Sequence, residues 1–543
     1  MPTSRFAALS ISEKSMTRFT YCFATAATVA VLSGCGGGSG GSADTTPAVQ
    51  LVPAITSITK DISQGDELAI GVNGTWSGKN LGSSPVYLSI RDSAGGFVAE
   101  SRLLQPSASL GTVSTSPALG AGKHEGTLEL RACKDAQCNA VYAGGSTTIP
   151  YSLNVAAVAD WETHQRDAGH RGYVPIILHP EKFALAWQWQ RPNSSDPIGG
   201  INPVVTANNR VYVTTDVYFG EGVLYAFDEA TGNTVWQHAF GQVPGFNPPA
   251  VGNGRVYAAV TGHEQTALWS FDSGNGNFLF KAGFSGQWPN LMAPTVSGDD
   301  VYTGAGYYGG DTYSFSARTQ SLTWTHNAGG VWDMFTPAVD AATVYHYNGL
   351  ALYAIDRASG KTTFSIDDPF GKNANFSYHG SPILGNRKNA LALSGGANSG
   401  RAAASAEQSE QRVISSFNLE SRKYEWSSDN AYLTTPAVAN GVIYAARNSP
   451  MSLDAMDEAT GKVLWSWAPS GAGDTSFHRN IVVTNNLLFV STDRAVYAID
   501  LASKSPVWSY PKPGMLAISA ARTLYIATGA TISDGGLVAI KLK

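Results

Sequence analysis

From Phe183 onward, short apolar runs alternate with clusters of Gly, Asn, Asp and Pro, and the alternation itself repeats. The most regular stretch of each unit reads LYAFDEATGNTVW (Leu224 to Trp236), LYAIDRASGKTTF (Leu352 to Phe364), LDAMDEATGKVLW (Leu453 to Trp465) and VYAIDLASKSPVW (Val496 to Trp508). Trp236, Phe280, Trp324, Phe364, Trp426, Trp465 and Trp508 recur at intervals of 44, 44, 40, 62, 39 and 43 residues. Brief runs rich in Val, Tyr and Ile, bounded by turn residues, read as strands. A strand-built period of roughly 40 to 50 residues predicts a β-propeller.

Each unit parses into four strands. In the first, Pro203 opens an inner strand, Asn208-Asn209 makes a turn, and Arg210 to Thr214 and Val223 to Phe227 follow. The turn from Asp228 to Gly232 then leads to an outer strand ending at Trp236. An Asp carboxylate in such a turn accepts backbone N–H groups two residues on, and Gly supplies the left-handed position. The large ring that follows is placed to wedge between neighbouring blades. Asp228, Gly232, Trp236, Asp356, Gly360, Asp457, Gly461, Trp465, Asp500 and Trp508 are therefore read as structural turns that glue blade to blade, because they recur in nearly every unit. Seven complete copies run to Trp508, and the chain ends with three strands: Leu516 to Ser519, Thr523 to Ala527 and Leu537 to Lys541. The missing outer strand is available upstream at Phe183 to Trp189. Pairing the two ends closes an eight-bladed ring and removes both exposed edges.

Upstream of the ring the pattern changes. Arg18 precedes an apolar run from Phe19 to Leu32 that ends in Leu32-Ser33-Gly34-Cys35. Residues 1–35 read as a lipoprotein signal peptide with Cys35 as the lipidated residue, and Met16 as an alternative start. Residues 36–50 read as a Gly/Ser-rich tether, and its first 11 residues would span roughly 18 Å as a flexible chain. Residues 51–156 carry alternating runs (Leu68 to Val72, Val86 to Ile90, Gly126 to Arg131, Ile149 to Val155) and predict a small immunoglobulin-like β-sandwich. Cys133 and Cys138 predict a small-loop disulfide, because no further ligands stand nearby for a zinc site.

The Asp-x-Ala-Thr-Gly turns, the inner-strand Pro residues and the opening Trp161-Glu-Thr-His-Gln-Arg-Asp-Ala-Gly-His-Arg-Gly-Tyr173 resemble the pyrroloquinoline-quinone-like repeat family. The resemblance covers about residues 157–543 and implies an all-β fold, an eight-bladed quinoprotein-like propeller. Within that family the chain is similar to the non-enzymatic lipoprotein branch of the outer-membrane barrel-assembly machinery, whose loops bind a barrel partner. By the same resemblance His164 and His170, flanking Asp167, belong to a structural lead-in and not to a metal site.

Charge narrows the partners. With 36 Lys and Arg against 41 Asp and Glu the net charge is −5, and no basic patch suits a nucleic acid. The loops fall on two faces. The short repeated turns share one; the longer, irregular loops share the other. The second face carries Tyr218, Phe219, Phe246, Trp288, Tyr307 and Tyr308 from the early blades. Trp332, Phe335, Phe376, Tyr378, His379, Tyr432, His478 and Arg479 follow from the later ones, and His326 joins them as a residue that could approach the axis. Aromatic residues with occasional Arg are the usual anchors of protein and sugar recognition. The insertion between Leu393 and Val413 reads as a surface loop.

These features predict a non-catalytic outer-membrane lipoprotein that binds an envelope protein through its loop face as a scaffold or assembly factor. The membrane contact is the lipid anchor, on the periplasmic face or the cell surface. A surface-exposed binder of glycan or protein is the first alternative. A pyrroloquinoline-quinone-dependent dehydrogenase is the second; only that reading needs a cofactor, the quinone with calcium. Trp288 or Trp332 would then stack, and Asp311 or Asp333 would ligate. The propeller holds no Cys and no G-x-S-x-G, HExxH or P-loop to support other chemistry.

Overall fold

The computed structural model describes residues 45–105, 109–192, 200–262, 265–287, 292–304, 311–329, 336–370, 381–394, 411–470, 473–529 and 535–543. Cys35, Trp288, Tyr307, Tyr308, Trp332, Asp333, Phe335, Phe376, Tyr378 and His379 lie outside these residues, as do most of the blade 5 insertion and the side chain of Arg479.

Eight four-stranded antiparallel units follow one another from Val205. In blade 1 the strands are Val205–Ala207, Arg210–Thr214, Tyr218–Asp228 and Thr234–Phe246. Blade 8 consists of Met515–Ile518, Thr523–Thr528 and Gly536–Lys541, completed by Ala184–Gln190 from the other end of the ring. The pairs run from Ala184↔Lys541 to Gln190↔Gly536, so the ring closes between its first and last strands. The second and third strands of each blade are covered on both faces and are almost wholly buried, as in Val211, Tyr212, Val213, Leu224, Ala226 and Phe227. Outer strands keep one face wet, and Val235, Leu322, Val463, Leu464 and Val507 stay exposed.

The Asp turns form by the local chemistry of their residues. Thr231 donates its N–H and its hydroxyl to Asp228 Oδ1 at 3.0 and 2.8 Å, and Gly232 N–H returns to the Asp228 carbonyl at 2.8 Å. These bonds, led by the Thr231 hydroxyl, hold the Asp228 carboxyl below its ordinary value. Ser359 serves Asp356 in the same way, and Ser503 N–H bonds Asp500 at 2.6 Å. Gly232, Gly276, Gly360 and Gly461 adopt φ of +73°, +74°, +70° and +69°. A Cβ at these four glycines would lie 2.5 Å from Trp187, 2.6 Å from Trp236, 2.7 Å from Trp324 and 2.4 Å from Trp426. Each tryptophan therefore lies on the turn of the following blade. Trp187, Trp236 and Trp324 also donate Nε1–H to backbone carbonyls there (Glu229, Ser273, Arg357) at 2.9, 3.1 and 3.0 Å. At the seam, where the outer strand of blade 8 is Ala184–Gln190, Trp508 meets Phe183 edge-on at 5.4 Å.

The N-terminal layer is a β-structure with its own core around Val49, Leu88, Leu128, Leu130 and Leu153. Its strands order as Gly74–Lys79, Ala48–Pro53, Val141–Ala156, Gly122–Cys133, Val86–Asp92 and Glu100–Leu104, with Ile58–Ser63 also on Val141–Ala156 and a separate pair Ala69–Gly71 with Thr112–Ser114. The first two strands run parallel to Val141–Ala156, at Ala48↔Ala143 and from Ile58↔Tyr151 to Ser63↔Ala156. Cys133 and Cys138 are disulfide-bonded with Cα atoms 5.0 Å apart.

Candidate binding face

An inner propeller strand pairs with only one neighbour in its blade and leaves a row of N–H and C=O groups facing the axis. On the turn face that row is met by the chain itself. Carbonyls of Trp161, Glu162, Ala168, Gly169, Arg171 and Gly172 accept N–H bonds from Thr206, Val251, Val339, Leu384, Val438 and Val483, on the inner strands of blades 1, 2, 4, 5, 6 and 7. The Thr163 hydroxyl reaches Pro294 of blade 3 at 2.5 Å. Gln165 donates to Pro436 and Ile481 carbonyls at 3.2 Å each and accepts from Asn480 at 3.0 Å. His170 bonds the Pro382 carbonyl at 2.9 Å and Thr295 at 3.2 Å. The lead-in is thus a strap that ties the inner strands together. Burial holds His164 at about 3, with the nearby His170 adding to the effect, and holds His170 at about 4.

The opposite face is built differently. In blade 1 the hairpin between Tyr218–Asp228 and Thr234–Phe246 is longer than sequence suggests, pairing as far as Tyr218↔Gly245. Its outer strand then crosses to blade 2 through Gly245↔Thr261 and Phe246↔Val260. At the start of this hairpin Tyr218 and Phe219 are 39 % and 52 % exposed and pack edge-on at 4.9 Å. Phe219 holds φ at +53°, an uncommon conformation for a bulky residue.

Three other expected members of this face are placed elsewhere. Phe246 is 1 % exposed and belongs to the core, because the strand that carries it turns inward to join blade 2. Tyr432 is fully buried and donates to Asp454 at 2.9 Å. His326 stands on the outer strand Ser321–Asn327, away from the axis, and bonds Thr362 of blade 4 at 2.7 Å; burial lowers its pKa. His478 is on the inner strand Phe477–Val483 and half-buried.

Two polar centres were not singled out from sequence. Asp454 is fully buried and accepts from Ser452 at 2.6 Å, Arg447 at 3.1 Å and Tyr432. Burial raises its pKa, but those bonds outweigh it and leave the carboxyl below its ordinary value. The signal was visible: LDAMD places Asp where LYAFD places Tyr. The second is the residue after the turn Asp in blades 1, 4 and 6. Glu458 accepts Asn386 N–H at 2.6 Å and its side chain at 3.1 Å, clamping blade 6 to blade 5. Glu229 accepts from Ser519 of blade 8, and Arg357 donates to Tyr302 of blade 3 at 2.9 Å.

The dehydrogenase reading needs a cation held by carboxylates beside a quinone. Asp311 accepts from Tyr313 at 3.1 Å, and burial raises its pKa. The described residues bring no three His, Cys, Asp or Glu side chains together as a metal set, so no step through a quinone or its cation is derived.

Comparison with solved structures places the propeller among similar rings. BamB from Moraxella catarrhalis is 12% identical, with 66% of this chain and 99% of that one covered and a TM-score of 0.49. A europium-containing methanol dehydrogenase is 12% identical, with 71% and 98% covered and a TM-score of 0.51. The quinohemoprotein alcohol dehydrogenase from Comamonas testosteroni is 15% identical, with 70% and 80% covered and a TM-score of 0.47. No curated protein matches in sequence. The family model PQQ_2, described as outer membrane protein assembly factor BamB, matches residues 184–288 and 266–510. With more than half its length matched, the chain belongs to this BamB-like family of propellers with pyrroloquinoline-quinone-like repeats.

Proposed function

We propose that the protein is a non-catalytic component of the cell envelope that binds a protein partner through the loop face of its propeller, as a scaffold or assembly factor at the outer membrane. The observation that carries this reading is the inequality of the two faces. The turn face is engaged by the strap, while the loop face presents Tyr218 and Phe219 on a lengthened hairpin. Exposed aromatics on a rigid support lose little conformational entropy when a partner covers them. The family match supports an envelope partner, and the Cys35 lipobox supports a lipid anchor.

The test is co-purification of outer-membrane barrel proteins from cells with the tagged full chain, compared with the Tyr218→Ala/Phe219→Ala variant. Recovery that falls at least tenfold in the variant, with an unchanged melting transition, is the expected result. Equal recovery would remove these side chains from the interface.

A further inference from the structure

The N-terminal layer and the propeller meet at a buried polar junction, and the chain enters the layer at its other end. Ile58–Ser63 runs straight into the junction. Asp66, 1 % exposed, accepts Arg522 at 2.7 Å and Ile177 N–H at 2.9 Å. Arg522, 3 % exposed and in the inner-strand turn of blade 8, also donates to the Ile177 and Gln64 carbonyls at 2.6 and 2.7 Å. The Ser63 hydroxyl donates to Pro175, and Lys182 bonds Glu67 at 2.6 Å. A Cβ at Gly65 would lie 2.8 Å from Arg522 Nε, so the close approach requires glycine there. Only residues 157–160 separate the last strand of the layer from Trp161, and Val158 among them packs on the propeller core.

The register gives this junction a direction. Ala48 lies beside Ala143, near the start of Val141–Ala156, whereas Ser63 lies beside Ala156 at its end. The first two strands therefore climb the length of that strand. At 3.3 Å per residue, the path from the level of Ala143 to Ala156 is about 40 Å. The hairpin tip closed by the Cys133–Cys138 disulfide lies at the same far end as Ala48, since Cys133 pairs with Val141. At the near end, Arg522, His179 and Lys182 all belong to the turn side of the ring.

We propose that the N-terminal layer is a rigid stand-off, entered from the membrane side at Ala48, clamped to the turn face through Asp66 and Arg522, and aiming the loop face away from the lipid. This deepens the anchored-binder reading and rests on it: the partner surface is then a soluble domain standing tens of ångströms from the bilayer, and not the lipid itself. A buried, fully bonded ion pair restricts rotation at the junction in a way that a flexible linker does not.

Resonance energy transfer tests the stand-off independently of lipidation. The chain with a His tag in place of residues 1–35 is bound to vesicles containing nickel-chelating lipid and an acceptor-labelled lipid. The donor is placed at exposed Gln137, on the distal hairpin, or at exposed Gln242, on the blade 1 hairpin. Transfer several-fold stronger from Gln137 than from Gln242 is expected, and Arg522→Ala should raise transfer from Gln242. Equal transfer from the two sites in the unaltered chain would overturn the proposal, whether or not Arg522→Ala folds. Because the tag replaces the lipid, neither outcome depends on acylation of Cys35 or on finding a partner.

Discussion

At the turns with Gly232, Gly276, Gly360 and Gly461, the preceding blade offers a tryptophan (Trp187, Trp236, Trp324, Trp426). Where Gln320 or Arg422 holds the left-handed position instead, at φ of +58° and +56°, the preceding outer strand carries Phe280 or Phe364. The smaller ring makes room for the side chain, and Arg422 lies 4.8 Å over the Phe364 ring. Lys504 follows the blade of Trp465, and nothing in the structure explains why that junction keeps the larger ring. Burial at this scale also has a pH signature. His170 is wholly buried and titrates at about 4 in the folded protein, against an unfolded value near 6.5. Between those values the unfolded chain binds the extra proton, so stability falls as pH falls through this window and is flat above it. His170→Asn suits the left-handed φ of +60° and removes the titration. Denaturant unfolding from pH 4 to 7 should show wild type losing about 1.4 kcal/mol per pH unit relative to the variant below pH 6. Parallel pH profiles would show that His170 is not held neutral.

At the scale of elements, the strands, the Asp turns and the seam were legible because each is local or periodic. Leu537 to Lys541 paired with Phe183 to Trp189 follows from counting strands alone. The strap was legible only as a lead-in, since its partners lie as far off as Ile481 and no local pattern names them. The loop-face residues were harder still. Phe246 and Tyr432 sit beyond the repeat, where sequence does not distinguish a strand that runs on into the core from an exposed loop. Glu229 and Glu458 stand in the repeated turns, and no local pattern shows that their carboxylates bond a neighbouring blade. The strap's contribution is measurable at Gln165, which is 2 % exposed and makes three hydrogen bonds to blades 6 and 7. Gln165→Ala removes those three bonds; Asn480 keeps its bond to the Leu516 carbonyl, and each buried group that then lacks a partner costs about 1–3 kcal/mol. A loss of about 2–4 kcal/mol in denaturant unfolding is expected; a change below 0.5 kcal/mol would mean that the strap lies on the ring without holding it.

At the scale of the molecule, eight units that differ in sequence share one strand order, and the two sides of the ring are engaged unequally. The turn side is engaged by the chain's own strap and N-terminal layer; the loop side is where Tyr218 and Phe219 stand out. Fold alone does not choose between binding and catalysis; that asymmetry and the family match favour binding. The measurement that tests it most directly is in-cell photocross-linking from a reactive residue at Phe219 on the loop face, compared with one at Thr460 on the turn face. A discrete envelope-protein adduct from Phe219 and none from Thr460 is the expected result. Adducts from Thr460 with none from Phe219 would contradict it and place the working surface on the other side of the ring.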